Sequence, residues 1–393
     1  MIPLMKSTFY KEKETRAALA EFILKDNYLS MGEQCFEFER QFAKTQNRKH
    51  AVLFNSGGSA NLALIQALKN LGWIKEFDKI GVSAVTWSTD IMPIIQLGMQ
   101  PVLVDVQPNT LNISSYTLAD AIKKHGPFSA VFVTNALGFC GDLNIVRKMC
   151  RDYGMLLLED NCESLGTETQ YGQAGSFGLA ATYSFYVAHH LSTIEGGMVC
   201  TDFDALADML RLVRSNGWDR NVSPTAQKDL RTKNAIPPFF EKYTFYDLGY
   251  NFKPTEITGY LGLFQLQYLP EIIQIREKLF KRFYSVIESN TDFIPTRFAT
   301  LETASAFANP VVCQCESLRD EYLKRFHDAG VETRPIISGN SGRQPFYTKY
   351  MGGVQKLMGA DFIHTCGFYF GNCPDYTEDE IEIILGCLYG VVS

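Results

Sequence analysis

The chain has 393 residues, of which 46% are hydrophobic and 20% are charged. This length suits two domains better than one, and the composition is typical of a packed globular protein. The formal net charge of −6 and the lack of a run of roughly 18 apolar residues argue against nucleic acid or membranes as partners. The first residues do not resemble a secretory signal, so we expect a cytoplasmic location.

Short apolar runs alternate with helical patterns between about residues 50 and 215, which predicts a parallel sheet covered by helices. The candidate strands are residues 51–54, 79–82, 101–105, 130–133, 155–160, 181–185 and 198–201. A helical pattern over residues 256–279 then leads to a smaller C-terminal α/β region. We therefore predict a large domain over residues 1–265 and a small domain over residues 266–393.

A glycine turn follows the first candidate strand and opens a helical pattern. Ser56, Gly57 and Gly58 would let backbone N–H groups converge on an anion at the N-terminus of the helix. A strand-to-helix glycine turn also occurs without any ligand. These residues by themselves therefore leave both a phosphate site and an ordinary turn open.

Three more side chains lie just after candidate strands. Asp160 ends one strand, where the carboxyl ends of parallel strands form the usual ligand crevice, although it could instead be a helix N-cap. Trp87 could stack on a planar ligand or belong to the core. Glu163 lies three residues beyond Asp160, and we assign it no role of its own.

Residues 184–197 read Ser-Phe-Tyr-Val-Ala-His-His-Leu-Ser-Thr-Ile-Glu-Gly-Gly. This segment resembles the cofactor-lysine segment of the pyridoxal-phosphate (PLP) sugar aminotransferase family, DegT/DnrJ/EryC1/StrS, and the resemblance covers nearly the whole chain. The family lysine corresponds to His189. A lysine can hold PLP covalently, whereas an imidazole cannot but still moves protons near neutral pH. The exchange resembles the 3-dehydratase branch of the family.

The resemblance implies the fold of the fold-type-I PLP enzymes, with a mostly parallel seven-stranded sheet in the large domain and a smaller C-terminal α/β domain. It implies PLP bound without a covalent link, present as pyridoxamine phosphate (PMP) during turnover, with His189 as the catalytic base. Because successive loop residues diverge, we expect His190 to point elsewhere. A histidine satisfied by backbone groups is the alternative interpretation of His189.

The resemblance also implies a set of cofactor-binding residues: Ser56, Gly57, Gly58, Trp87, Asp160, Glu163, Ser184 and Asn251. Among these, Ser184 would bind the phosphate and Asp160 the ring nitrogen. Asn251 would reach the phosphate of a partner subunit, which implies a homodimer with shared active sites. A turn that leads into a helix is the alternative interpretation of the segment around Asn251.

The implied reaction removes the C3 hydroxyl from a nucleotide-linked 4-keto-6-deoxyhexose, foremost GDP-4-keto-6-deoxymannose. L-glutamate would be the amino donor, and the products would be a 4-keto-3,6-dideoxy sugar, 2-oxoglutarate and ammonia. Arg220 and Arg343 are candidates for binding the glutamate carboxylate or the nucleotide diphosphate, since guanidinium groups bind both with paired hydrogen bonds. Each arginine could instead form a surface salt bridge.

Three other functions stay open. A reductive 3-dehydrase for a CDP- or dTDP-sugar would need four cysteines for an iron–sulfur cluster. Here Cys313 and Cys315 form the only close pair; we interpret them as alternate strand residues and predict no metal site. A non-catalytic PLP-binding subunit would tolerate loss of the lysine. A plain aminotransferase would need a lysine near His189, and the nearest ones, Lys148 and Lys228, lie in other segments.

Overall fold

The structure is a computed structural model that describes residues 1–25, 28–297 and 301–389. Across those ranges no helix is both long and apolar enough to cross a membrane. The helices are α1 (Glu12–Leu24), α2 (Glu33–Thr45), α3 (Gly57–Asn70), α4 (Ser88–Gln96), α5 (Ser115–His125), α6 (Leu143–Asp152), α7 (Asp204–Arg214), α8 (Pro224–Lys233), α9 (Glu256–Leu266), α10 (Leu269–Ser289), α11 (Glu316–Asp328), α12 (Pro345–Met351), α13 (Met358–Cys366) and α14 (Glu378–Leu388). The strands are β1 (His50–Phe54), β2 (Lys79–Ser83), β3 (Gln100–Val104), β4 (Ala130–Thr134), β5 (Leu156–Asp160), β6 (Glu168–Thr169), β7 (Gly172–Gln173), β8 (Ala180–Ser184), β9 (Gly197–Thr201), β10 (Leu301–Thr303), β11 (Ala308–Val312), β12 (Thr333–Arg334) and β13 (Gly367–Gly371).

The large sheet contains seven strands in the order β1-β9-β8-β5-β4-β2-β3. Strand β9 runs antiparallel to both of its neighbours, β1 and β8, whereas the pairs from β8 to β3 are parallel. All five residues of β4 and of β9 are buried, because helices cover both faces of the sheet. Each of the seven candidate runs forms one of these strands, so the mostly parallel seven-stranded sheet is confirmed.

A second, smaller sheet joins β11, β13 and β12 in that order, with both pairs antiparallel. Its core includes Phe283 from α10, Phe326 from α11 and Phe370 from β13. Ile2 belongs to the same core, and its N–H donates to the carbonyl of Gly330 at 2.6 Å. The N-terminal residues thus pack with the C-terminal sheet. The division at residue 265, which falls within the last turn of α9, remains a prediction.

The predicted helix over residues 256–279 is two helices, α9 and α10, separated at Gln267 and Tyr268. Pro270 lies in the first turn of α10. Proline has no N–H to donate and is tolerated at this position, where that donor would have no partner inside the helix. The prediction of one continuous helix was therefore wrong. The apolar residues keep their helical spacing across the break, so the pattern does not show it.

Candidate active site

A cavity of about 410 Å³ opens at the carboxyl ends of β1, β4, β5 and β8. This edge of a parallel sheet is where α/β proteins usually bind ligands. The cavity is lined by Gly57, Gly58, Trp87, Thr89, Thr134, Asp160, Cys162, Glu163, Ser184, Tyr186, Ala188, His189, Phe307, Ile337 and Tyr369. A more open hollow of about 660 Å³ beside α2 and β1 contains none of the predicted site residues.

The glycine turn at the start of α3 forms one end of the cavity. The hydroxyl of Ser56 accepts the backbone N–H of Ser59 at 3.1 Å, so Ser56 is the N-cap of the helix. A Cβ atom on Gly57 would lie 2.7 Å from Cβ and 2.9 Å from Oγ of Ser184. Because the first N–H groups of a helix have no partner inside it, this narrow cradle can bind a phosphate together with the Ser184 hydroxyl.

Asp160 lies at the end of β5 and is 5% exposed. Its Oδ1 accepts the N–H of Cys162 at 2.8 Å, and its Oδ2 accepts the amide N–H of Asn61 at 3.0 Å. These two contacts hold the carboxylate at the wall of the cavity. A carboxylate at this place can accept a hydrogen bond from a protonated ring nitrogen.

His189 and His190 follow β8 but face different surroundings. His189 lines the cavity, with its ring centroid 5.2 Å from that of Phe307. His190 is buried behind it, and its Nε2 lies 3.0 Å from the carbonyl of Ser305. Burial lowers the pKa of His189 to about 4, despite the opposing effect of the Asp160 charge. At neutral pH His189 is therefore an uncharged imidazole that can accept a proton.

Glu163 and Trp87 lie on other parts of the wall. The carboxyl of Glu163 accepts the N–H of Leu137 at 2.8 Å, and burial raises its pKa to about 8. Trp87 is the N-cap residue of α4, and its side chain is 61% exposed. Its indole ring therefore has a free face that a planar ligand in the cavity can cover.

Four predicted residues are not part of the cavity lining. Ser56 lies next to the cavity as the N-cap of α3, and the other three lie elsewhere. Asn251 is exposed and forms an isolated bridge with Ser215. The guanidinium of Arg220 stacks over the ring of Trp218 at 4.0 Å. Arg343 donates from Nε to Oδ1 of Asp361 at 2.6 Å, so within this chain it forms the salt bridge that was the alternative interpretation.

Several lining residues were not singled out in the sequence: Thr89, Thr134, Cys162, Tyr186, Ala188, Phe307, Ile337 and Tyr369. Thr134 and Cys162 could have been found, since they end or directly follow a strand of the parallel sheet. Phe307, Ile337 and Tyr369 come from the C-terminal part of the chain, and no motif marks them. Their position depends on how the small sheet packs against the large one.

Among the described residues, no three or more His, Cys, Asp or Glu side chains lie together in a way that could hold a metal ion. Cys313 is buried, whereas Cys315 is exposed and is the N-cap residue of α11. Strand β11 ends at Val312, so neither cysteine is a strand residue in the structure. The interpretation of the pair as alternate strand residues was therefore wrong by a few positions.

The cavity fits PLP. The cradle at Gly57 has room for a phosphate only because residue 57 has no side chain. Nδ1 of His189 is buried and has no hydrogen-bond partner, as expected of a group that waits for a ligand. Asp160 and Trp87 both line the cavity, where a carboxylate could accept a ring N–H and an indole could cover a ring face. The described lining contains no lysine that could bind the aldehyde.

Two solved structures and one curated relative resemble the whole chain. One is a GDP-4-keto-6-deoxymannose-3-dehydratase, a histidine-to-asparagine variant with bound GDP-perosamine: it is 31% identical with a TM-score of 0.88, over 99% of this chain and 100% of that one. Another is the same enzyme with a trapped PLP-glutamate geminal diamine, 30% identical with a TM-score of 0.88 and the same coverage.

The GDP-4-keto-6-deoxy-D-mannose 3-dehydratase of Yersinia pseudotuberculosis is 34% identical in an alignment of 395 positions that covers 98% of each chain. The fold-type-I architecture expected from the sequence is confirmed by the two solved structures. A family model matches residues 10–389. The chain belongs to the DegT/DnrJ/EryC1/StrS aminotransferase family.

Proposed function

We propose that this chain is a PLP-dependent nucleotide-sugar 3-dehydratase. Its substrate is GDP-4-keto-6-deoxymannose, and L-glutamate is the amino donor. The observation that carries the proposal is His189 in the cavity wall, in a cavity whose described lining has no lysine. The 34% identity to a GDP-4-keto-6-deoxy-D-mannose 3-dehydratase supports the same reaction and the same nucleotide.

The sheet side of the cavity binds the cofactor. The first N–H groups of α3 and the Ser184 hydroxyl hold the phosphate, and Asp160 accepts the ring N–H. Trp87 covers one face of the ring. When bound as PMP, the cofactor supplies an amine for the sugar ketone and a protonated ring that accepts electrons.

His189 acts as the base. Its imidazole is uncharged at neutral pH, because burial lowers its pKa to about 4. It takes a proton from the carbon that carries the amino group, and it holds this proton while the C3 hydroxyl of the sugar departs. A histidine can do so without capturing the aldehyde, which a lysine at position 189 would do.

The protein works as a homodimer with shared active sites. Asn251 is exposed and lies outside the cavity of its own chain. Large apolar side chains close to it in sequence are also exposed, including Phe239 at 86%, Tyr243 at 74% and Leu248 at 72%. An exposed apolar cluster of this kind is typical of a protein interface. Contact through it would bring Asn251 to the phosphate in the partner chain.

The reaction is tested by mass spectrometry of products from a panel of GDP-, CDP- and dTDP-linked 4-keto-6-deoxysugars, with PLP and L-glutamate present. We expect a 3-deoxy product, 2-oxoglutarate and ammonia from the GDP sugar. An amino sugar as the main product would show an aminotransferase instead. A product that appears only with an added electron donor would show a reductive enzyme.

The shared site is tested by mixing two inactive variants, Asn251→Ala and His189→Asn. If the sites are shared, a mixed dimer has one site with both defects and one intact site, so activity returns on mixing. If each chain supplied its own Asn251, both sites of the mixed dimer would stay defective, and no activity would return.

A further inference from the structure

A second buried carboxyl group, Asp90, lies directly behind Asp160. Asp90 is in the first turn of α4 and is 0% exposed. Its Oδ2 accepts hydrogen bonds from the hydroxyl groups of Thr86 and of Thr134, the latter at 2.7 Å. Thr134 also lines the cavity. Asp90 therefore lies behind the cavity wall, in contact with a residue that lines it.

One amide group joins the two carboxyls. Nδ2 of Asn61 donates to Oδ1 of Asp90 at 2.7 Å and to Oδ2 of Asp160 at 3.0 Å. The two carboxyls also interact directly, since both the charge of Asp160 and a hydrogen bond to it help to raise the pKa of Asp90. The same groups from α3, α4 and β5 thus hold the two acids together.

Among the side chains that the structure describes, no positively charged one is paired with either carboxyl group, so no opposite charge offsets the repulsion between two negative charges. Asp160 faces Asp90 from β5, and the Cys162 thiol faces it from the turn that follows. In the described part of the chain, neither carboxyl forms an ion pair with a lysine or arginine. Burial, followed by the Asp160 charge, raises the pKa of Asp90 well above its ordinary value. These causes outweigh the hydrogen bonds from Thr86 and Thr134, which act in the opposite direction.

Two adjacent buried carboxyls cannot both ionise without a large cost, so such a pair keeps one proton. The position of the groups decides which acid keeps it. Asp160 lines the cavity, where a ligand can reach it, whereas Asp90 does not line it. Asp90 is enclosed by α3, α4 and β4. We therefore assign the shared proton to the carboxyl group of Asp90.

We propose that Asp90 is a positioning residue for the cofactor's ring nitrogen: as a neutral acid held by Asn61, Thr86 and Thr134, it keeps Asp160 the single anion of the pair. This inference rests on the proposed PLP site. A neutral acid behind Asp160 can donate its proton in a hydrogen bond to the Asp160 carboxylate. The proton shared between Asp160 and the ring nitrogen therefore stays on the nitrogen, where electron withdrawal requires it.

The protonation of Asp90 is tested by infrared difference spectroscopy of the full chain, with and without PLP. Subtracting the Asp90→Asn spectrum from the parent spectrum should reveal the C=O band of a protonated carboxylic acid, which shifts in D₂O. Asp202→Asn is the control: the Arg48 ion pair and the Lys49 N–H hold the pKa of Asp202 below its usual value, so it should reveal a carboxylate band. A carboxylate band for Asp90 as well would overturn the proposal.

The effect on the ring nitrogen is tested by ¹⁵N nuclear magnetic resonance of ¹⁵N-labelled PLP bound to the dimer, titrated with pH. In Asp90→Ala the nitrogen should lose its proton at a lower pH than in the parent. Asp90→Asn is also neutral and can donate to Asp160, so it should restore the parental midpoint. If the midpoint falls as far in Asp90→Asn as in Asp90→Ala, then Asp90 acts through its charge and not as a neutral acid. That result would overturn the proposal.

Neither measurement requires turnover. Both the infrared and the nuclear magnetic resonance results would therefore stay valid if the dehydration assay failed. If PLP did not bind, the proposed function would fail, while the infrared comparison of the ligand-free chain would still report the charge of Asp90. Circular dichroism checks that Asp90→Ala is folded. If it is not, the infrared result with Asp90→Asn decides the proposal.

Discussion

The cavity has two walls that are held in different ways. The sheet wall consists of the cradle at Gly57, Ser184 and Asp160. A Cβ atom on Gly57 would lie 2.7 Å from Ser184, and both oxygens of Asp160 accept hydrogen bonds. The loop wall consists of Tyr186, Ala188 and His189 with Phe307. Its key group, Nδ1 of His189, is buried without a partner.

This difference indicates that the sheet wall binds the cofactor, whereas the loop wall carries out the proton transfer. Groups that hold a cofactor benefit from rigid support at the ends of strands, because a small displacement costs affinity. A group that must both accept and release a proton needs a free nitrogen and a pKa that permits exchange. Changes in the loop wall should therefore affect rate, and changes in the sheet wall should affect cofactor affinity.

The largest effect is expected for His189→Asn. The variant should lose roughly 10²- to 10⁴-fold in the rate of dehydration, as is typical when a positioned base is removed. PLP affinity should change little, because the sheet wall is untouched. Single-turnover kinetics and a PLP titration by absorbance measure the two quantities. A variant that keeps its rate would place the base elsewhere, with His190 the first residue to test.

A substitution in the sheet wall should have the opposite effect. The added Cβ in Gly57→Ala would collide with Ser184. Overpacking of this kind costs about 1–3 kcal/mol, which corresponds to about 5- to 150-fold weaker PLP binding. Equilibrium titration with PLP measures it. Gly386→Ala, where an added Cβ meets nothing within 4 Å, is the control, and equal PLP affinity in the two variants would contradict the cradle.

The loop wall should also make the protein sensitive to acid. Histidine has a pKa of about 6.5 in an unfolded chain, and burial lowers that of folded His189 to about 4. Between these values the unfolded state binds a proton that the folded state does not. The free energy of unfolding should then fall as the pH drops through this window, by at most about 1.4 kcal/mol per pH unit. Above the window His189 contributes no pH dependence.

Urea unfolding without PLP, repeated from pH 7 to pH 4, measures this dependence. His189→Asn should flatten the curve relative to the parent, and His327→Asn, at an exposed histidine, should leave it unchanged. Identical slopes in the parent and in His189→Asn would mean that folded His189 can be protonated as easily as in water. The buried neutral base would then be ruled out.

The smallest effect is expected for Trp87→Leu. Aromatic stacking contributes about 0.5–1.5 kcal/mol beyond the buried area, so PLP should bind about 2- to 13-fold more weakly. The rate at saturating PLP should fall far less than in His189→Asn. Trp73→Leu, at a tryptophan that packs on Phe203 outside the cavity, is the control. Unchanged affinity in Trp87→Leu would show that Trp87 does not stack on the cofactor.

Much of the fold was predictable because short apolar runs between helical patterns are a local signal. All seven strands were found, and so were the turn at Gly57 and the strand end at Asp160. The break between α9 and α10 was missed, since the apolar spacing continues past Pro270. The antiparallel direction of β9 was also missed, because the direction of a strand depends on the connection that precedes it.

The candidate site was predictable where a motif marked it. Ser184, His189 and Asp160 belong to segments that the family resemblance identifies, and the structure brings all three to one cavity. The roles of Asn251, Arg220 and Arg343 remain predictions, because each would act through a partner chain or a bound substrate. Asp90 was not singled out at all, since in the sequence it is one acid in the first turn of a helix.

The sequence by itself determined the local elements and the glycine turn at Gly57, because each depends on neighbouring residues along the chain. The family resemblance marked His189. Only the tertiary structure decided that Asp90 lies against Asp160, 70 positions away, and that the ring of Phe307 packs against His189 in the cavity. The physical reason is burial. The apolar faces of α3, α4 and the sheet pack together, and they carry these polar groups into contacts that no local pattern contains.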